Sequence, residues 1–304
     1  MRSHLVRQII AMGSMASLLV TCALAGSDSA GAQGTTPSRW AAVDSTLGRA
    51  GAMQPGNVMK YGFPRGDMHV VVQGVTVKPA LALGGWVAFM DVGGGQSMAM
   101  GDLVLAPDEV AAAVRALRKG GVQVTALHNH LIAPVMYMHV EAHGNAAKIA
   151  AAIHSALVTT KTPLGAPSPP GAPGAVDLDT GGIARALGHV GKLNGTVYQV
   201  SVPRAQPVRE NGHVVPPSMG VATGINFQPT GGGKAAITGD FVLIASEVNP
   251  VIDALESHGI EVDAVHSHML SEQPRLFFMH FWANDDAVTL ARGLRAALDR
   301  TASR

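Results

Sequence analysis

The chain has 304 residues, of which 47% are apolar, 14% charged and 4% aromatic, with a formal net charge of +1. That apolar content suffices for two packed domains, and the lack of a basic run or of basic–aromatic interleaving excludes a nucleic-acid partner. Cys22 is the one cysteine, so no disulfide can form within the chain.

The N-terminus reads as a targeting segment. Arg2 and Arg7 precede an apolar run from Ile9 to Ala25, and Ala30-Gly31-Ala32 offers a small-x-small cleavage site before Gln33. Residues 1–32 are therefore read as a signal peptide, too short and wrongly flanked for a lasting span. The protein is expected to be periplasmic or secreted. The alternative is a lipoprotein anchored through Cys22, and a membrane contact is expected only in that case. Residues 33–42 read as a polar, disordered spacer.

A short helix is expected over 42–51, and from Val58 the chain turns β-rich: 70–72, 75–77, 86–89 and 98–105 are short apolar runs between glycine turns. Pro107-Asp108-Glu109 opens a helix with the stripe Val110, Val114, Leu117, which stops at Gly120-Gly121. A hairpin follows, then a helix from Ala146 to Leu157. Residues 161–175 are a Pro/Gly-rich linker.

The same order then recurs. Gly101–Val110 (GDLVLAPDEV) and Gly239–Val248 (GDFVLIASEV) match at six of ten positions, at an offset of 138. His128-x-His130 and His266-x-His268 keep that offset, whereas His139 and His280 differ by 141, so the second copy has three extra residues in its turn. Its helices are expected from Ser246, as N-cap, to Gly259, and from Asp285 through Leu298. The fold class is thus α+β, a tandem duplication of an antiparallel sheet with two helices. Repeat 1 spans 43–160 and repeat 2 spans 176–304.

The stretch Gly259–His280 (GIEVDAVHSHMLSEQPRLFFMH) carries the chemistry. Strand alternation puts Ile260, Val262, Ala264, His266 and His268 on one face. A turn centred at Gln273 would set His280 opposite His266. Three imidazoles then converge, and buried imidazoles need partners that one metal ion supplies together. His266, His268 and His280 are the expected ligands, with His128, His130 and His139 as the corresponding set in repeat 1. Zinc is the default divalent metal and copper the next, because Met136, Met138, Met269 and Met279 flank the histidines; the bland alternative makes those methionines core filler. Glu272 is the candidate general base or fourth ligand. Repeat 2 therefore offers the fuller site, and repeat 1, with Glu141 and His143 where repeat 2 has Trp282 and Asn284, reads as degenerate.

Two other features have structural readings. Thr230-Gly-Gly-Gly-Lys234 lacks the Gly-Lys-Ser/Thr ending of a phosphate loop and reads as a hairpin turn. Arg65 and Arg204 match between copies and read as structural ion pairs, with Asp102 and Asp240 as partners, rather than as an anion clamp.

The segments ALHNHL, PPSMGVATGINFQPTGGGKAAITGDFVL, SEVNPVIDAL and PRLFFMHFWANDDAVTLARGLRAAL, which run through both repeats, resemble the LppY/LpqO family of exported bacterial proteins and lipoproteins. The resemblance implies no activity, since that family has no assigned function. Where its second-copy pattern reads His-Asn-His-Met, this chain has His-Ser-His-Met. Two functions are open at this point. One is an exported metal-binding protein, including a metal-dependent hydrolase acting on a small molecule. The other is a non-catalytic protein that binds a cell-envelope component and uses its histidines structurally.

Overall fold

A computed structural model describes residues 38–166 and 176–303. The segment read as signal peptide and the first half of the spacer, residues 33–37, lie outside the described residues. The end of the spacer is not loose: Ser38–Trp40 form a 3-10 turn, and Trp40 is a core residue, 2% exposed.

In repeat 1 the elements are α1 (Ala41–Leu47), β1 (Ala52–Gln54), β2 (Val58–Pro64), β3 (Val71–Val72), β4 (Val75–Thr76), α2 (Pro79–Ala82), β5 (Gly84–Gly93), β6 (Gln96–Leu105), α3 (Val110–Lys119), β7 (Gln123–His128), β8 (Met136–Gly144) and α4 (Ala146–Leu157). In repeat 2 they are α5 (Thr180–Leu187), β9 (Lys192–Asn194), β10 (Val197–Pro203), β11 (Val208–Glu210), β12 (His213–Val215), β13 (Ala222–Gly231), β14 (Lys234–Leu243), α6 (Val248–Glu256), β15 (Glu261–His266), β16 (Phe277–Asp286) and α7 (Ala287–Leu298). Each repeat builds one six-stranded antiparallel sheet, ordered β1-β2-β5-β6-β8-β7 and β9-β10-β13-β14-β16-β15. The duplicated α+β fold holds.

Three helices cover one face of each sheet. In repeat 1, Val43, Leu47, Leu117, Ile153 and Leu157 pack on Phe63, Phe89 and Val140; in repeat 2, Ile183, Leu255, Leu290 and Leu294 pack on Phe227, Phe241 and Phe281. Helix α4 starts where Asn145 accepts a hydrogen bond from the Lys148 amide, and α7 where Asp286 accepts one from Thr289. Each side-chain cap satisfies a donor the helix leaves free. Helix α6 starts one residue later than its Ser246 cap implies, after a 3-10 turn at Ala245–Glu247.

The uncovered faces of the two sheets meet each other. One joint cluster sets Ala88, Met98 and Met100 against Met219, Met269, Leu276 and Phe278; the other sets Val72, Leu81, Leu131 and Tyr137 against Ala236 and Trp282. The packing is reciprocal. Lys60 Nζ donates to the Ser218 carbonyl at 3.3 Å, and Gln199 Nε2, its counterpart, donates to the Ala80 carbonyl at 2.8 Å. Such exchange of equivalent contacts is the mark of two-fold packing, here between halves of one chain.

Arg65 and Arg204 are structural, but their partners differ from the expected aspartates. Arg65 Nη1 donates to Glu109 at 2.7 Å and to the Val104 carbonyl at 2.7 Å; Arg204 Nη1 donates to Glu247 at 2.6 Å and to the Val242 carbonyl at 2.8 Å. Each pair ties a strand of the sheet to the turn that launches α3 or α6. The glycine run 231–233 is the β13–β14 turn, each residue with positive φ, as a hairpin requires.

Candidate metal centre

Between the two joint clusters lies a set of six histidines, of which His139, His268 and His280 are buried and His128, His130 and His266 half-buried. A β-bulge puts them there. In repeat 2, Val262 pairs with Phe281 while Ala264 pairs with His280, so Asp263 is an extra residue. The bulge reverses the face of everything after it. Ile260 and Val262 point into their own repeat's core, whereas Ala264, His266 and His268 point at the other repeat. This corrects the expectation of one continuous face. Thr125 makes the same bulge in repeat 1, between Val124 and Ala126.

The hairpin register is also shifted from the expected one. His280 lies opposite Ala264, and His266 opposite Phe278, which centres the turn at residue 272. Because the shift is by two residues, parity survives and the three rings still share a face.

The six rings form one cluster shared by the repeats rather than two separate sites. His128 and His266 stack with centroids 3.5 Å apart; His130 lies 3.7 Å from His280, and His139 lies 3.5 Å from His268. Ligand atoms of His128, His130, His268 and His280 all lie within 4.8 Å of one another, as do those of Asp102, His130 and His139. Repeat 1 is therefore not degenerate: each repeat supplies three rings, and the four-histidine group takes two from each.

Two carboxylates complete the set. Asp102 sits beside His139 across β6–β8, and Asp240 sits beside His280 across β14–β16. Asp102 Oδ1 is 3.8 Å from His139 Nε2, Asp240 Oδ2 is 3.8 Å from His268 Nδ1, and Asp240 Oδ1 is 4.0 Å from His280 Nε2. Sequence reasoning assigned both aspartates to arginines. The signal for their role was present: each heads a duplicated Gly-Asp block at the offset that relates the histidines.

The electrostatics are those of a site without its counter-charge. Burial lowers the pKa of His128 to about 4 and of His266 to about 3. It holds His130, His139, His268 and His280 well below the usual range, so all six rings are neutral near pH 7. Burial also raises Asp102 to about 7, against the opposing pull of Lys60, and raises Asp240 well above a normal carboxylate, with Asp102 adding to the effect. Seven ring nitrogens, from all six histidines, and one oxygen each of Asp102 and Asp240 are buried without a hydrogen-bond partner. Unpaired buried polar atoms of this number are costly, at roughly 1–3 kcal/mol each. A cation accepts these lone pairs together and returns the carboxylates to their ionised form. The residues fit a divalent metal.

Glu272 does not belong to this set. It is 3% exposed, but Oε1 accepts from the Leu276 amide at 2.8 Å and Oε2 from Arg275 at 3.2 Å, so it braces its own turn. Its neighbours include Glu210, whose pKa is raised by burial and then by the nearby Glu141 and Glu272. Of the four methionines flanking the histidines, Met138 and Met279 belong to the helix-covered cores and Met136 packs against one of them. Met269 alone of the four lines the cavity of about 20 Å³ beside His139 and His268, together with Met100 and Met219.

The sequence matches the family described as Domain of Unknown Function (DUF1259) twice, over residues 41–159 and 181–300. No curated protein matches it. Among solved structures it is similar to a trimeric bacterial microcompartment shell protein, PduB, at 12% identity, covering 84% of this chain and 91% of that one, with a TM-score of 0.22. It is also similar to EtuB from Clostridium kluyveri, at 12% identity, covering 82% and 90%, with a TM-score of 0.18. Likenesses this distant carry no argument about activity. None of the similar structures is described as an envelope protein or lipoprotein, and PduB is described as a microcompartment shell protein. The expectation of a periplasmic, secreted or Cys22-anchored protein finds no support in these comparisons and is not carried further; its basis, residues 1–32, lies outside the described residues. Among the described residues no helix is long and apolar enough to cross a membrane.

Proposed function

The chain belongs to the DUF1259 family, with two copies of the domain in tandem, and we propose that it is a metal-binding protein whose centre lies between the copies. The observation that carries this reading is the set of nine buried donor atoms without partners, contributed by six histidines and two aspartates. Imidazole and carboxylate together suit zinc first. Copper is second, favoured by the thioethers of Met100, Met219 and Met269 at the cavity beside His139 and His268. Where the bound ion keeps an open position, the chemistry it supplies is activation of water, and the reaction class is metal-dependent hydrolysis. The protein's own part is to hold neutral imidazoles and two aspartates around the ion and to keep bulk water away. The likeness to the LppY/LpqO proteins is carried as part of this proposal.

Structural histidines explain the site less well. His280 Nδ1 donates to the Gly239 carbonyl at 2.8 Å, and His128 Nδ1 lies 3.3 Å from the Asn129 carbonyl. Both contacts use one ring nitrogen and leave Nε2 buried and unpaired, the arrangement of a ligand steadied through its far nitrogen. The test is elemental analysis of protein purified without a histidine tag. About one or two equivalents of metal per chain, lost in His268→Ala, is the expected result; a folded, metal-free protein that takes up no divalent ion on dialysis would overturn it.

A further inference from the structure

The two ends of the centre are built alike and closed differently. Across the first sheet, one row of paired residues on the shared face reads Gly62, Trp86, Asp102, His139, Ala126. Across the second, the matching row reads Ser201, Gly224, Asp240, His280, Ala264. The Asp–His pair is common to both. Beside it, an indole stands in one row and a hydrogen atom in the other.

Trp86 is packed into place. The Lys60 ammonium lies 3.8 Å from the ring centroid, a side chain at Gly220 would begin 2.9 Å from the indole, and the ring walls the small cavity at His139 and His268. At Gly224 the opposite holds: a Cβ built there meets no atom within 4 Å. Asp240 shows the consequence, with 25% of its side chain exposed against 11% for Asp102.

We propose that the centre takes an exogenous ligand from the Gly224 side, next to Asp240 and His280, and that Trp86 plugs the other end. The inference rests on the metal-binding reading. The row at the open end holds no lysine or arginine; its polar side chains are the Ser201 hydroxyl, the Asp240 carboxylate and the His280 imidazole, while Lys60, whose counterpart in repeat 2 is the uncharged Gln199, stands over the plug. The ligand class is therefore a small uncharged molecule, with an oxygen or nitrogen donor and a bulk up to that of an indole, held by the metal rather than by an anion site.

The test uses the full chain loaded with cobalt(II), with imidazole as the probe, read by the visible spectrum of the metal. Wild type is expected to bind imidazole. Gly224→Trp is expected to keep its cobalt and to bind imidazole at least roughly tenfold more weakly, with Gly224→Leu intermediate should the larger residue impair folding. Trp86→Phe, at the plugged end, should leave the wild-type affinity in place. Equal imidazole affinity in wild type and both Gly224 variants, at full cobalt loading, would overturn the inference while leaving the metal reading intact. Failure of wild type to hold cobalt would overturn both.

Discussion

His128 and His266 are each other's counterparts at the 138-residue offset, and their rings stack on one another 3.5 Å apart, 27° from parallel. The contact lies on the axis relating the two halves. The flanking contacts exchange partners across it: His139 with His268, and His130 with His280. Neutral rings at this spacing gain little from stacking while their nitrogens stay unpaired, so the contact makes sense as packing around a shared ion.

Removing one ligand should therefore have opposite effects on two readouts. His268→Ala is expected to weaken metal binding by roughly 100-fold or more, since even outer partners of ligands are worth 10–100-fold. In metal-free protein the same change removes a buried, unpaired imidazole nitrogen, so thermal stability should hold or rise. A lower melting temperature in both states would point to a structural role instead.

Glu272→Gln should leave the metal content unchanged, because both carboxylate oxygens are engaged within the turn. Stability should fall by about 1–3 kcal/mol, the range for weakening a buried, charge-assisted contact. Loss of metal in this variant would restore Glu272 to the centre.

The Arg65–Glu109 and Arg204–Glu247 pairs make a prediction about pH. Burial pushes both glutamates up, but hydrogen bonds from the arginine and from backbone amides outweigh it and hold their pKa values below the ordinary 4.5. A depressed folded-state pKa stabilises the protein above the unfolded value, and that stability is lost as pH falls through the folded value. Urea midpoints should thus be flat with respect to these groups above about pH 5 and drop below about pH 4.5. Arg65→Met, which leaves Glu109 buried without its partner, should cost about 3–5 kcal/mol at pH 7, and Arg204→Met should cost a similar amount.

The bulge can be tested directly. Deleting Asp263 removes the extra residue, and plain alternation from Val262 then leaves Ala264, His266 and His268 on the shared face they already occupy. Metal content should stay near the wild-type value, because the pairings of Ala264 with His280 and of His266 with Phe278 remain in register. A deletion variant that loses its metal would show that some other feature sets the histidine face.

The duplication, the hairpins and the helices beside them were legible because they leave periodic marks: Ala146–Leu157 is a helix at the bounds its pattern implies. The bulges were not. One extra residue in a strand alters no composition, and Val262, Ala264 and His266 read as one alternating face whether or not Asp263 interrupts it. The meeting of the two histidine sets was illegible for a different reason, since each set looks self-sufficient along its own hairpin. Helix α5 escaped notice because its counterpart α1 lies at an offset of 140, as Leu47 and Leu187 show, not 138. Asp102 and Asp240 were visible as duplicates, yet nothing in the chain said that the strand beside each carried its histidine.

Trp86 and Gly224 stand at equivalent places on opposite sides of the axis. A dimer of identical single-repeat chains could not hold that difference, since one gene would write the same residue at both ends and the centre would be open twice or shut twice. Joining the copies in one chain lets each end mutate alone. The aspartates, the three histidines and the arginine–glutamate pairs have stayed matched, whereas indole and hydrogen have parted. A symmetrical cage has thereby become a vessel with a floor and a mouth.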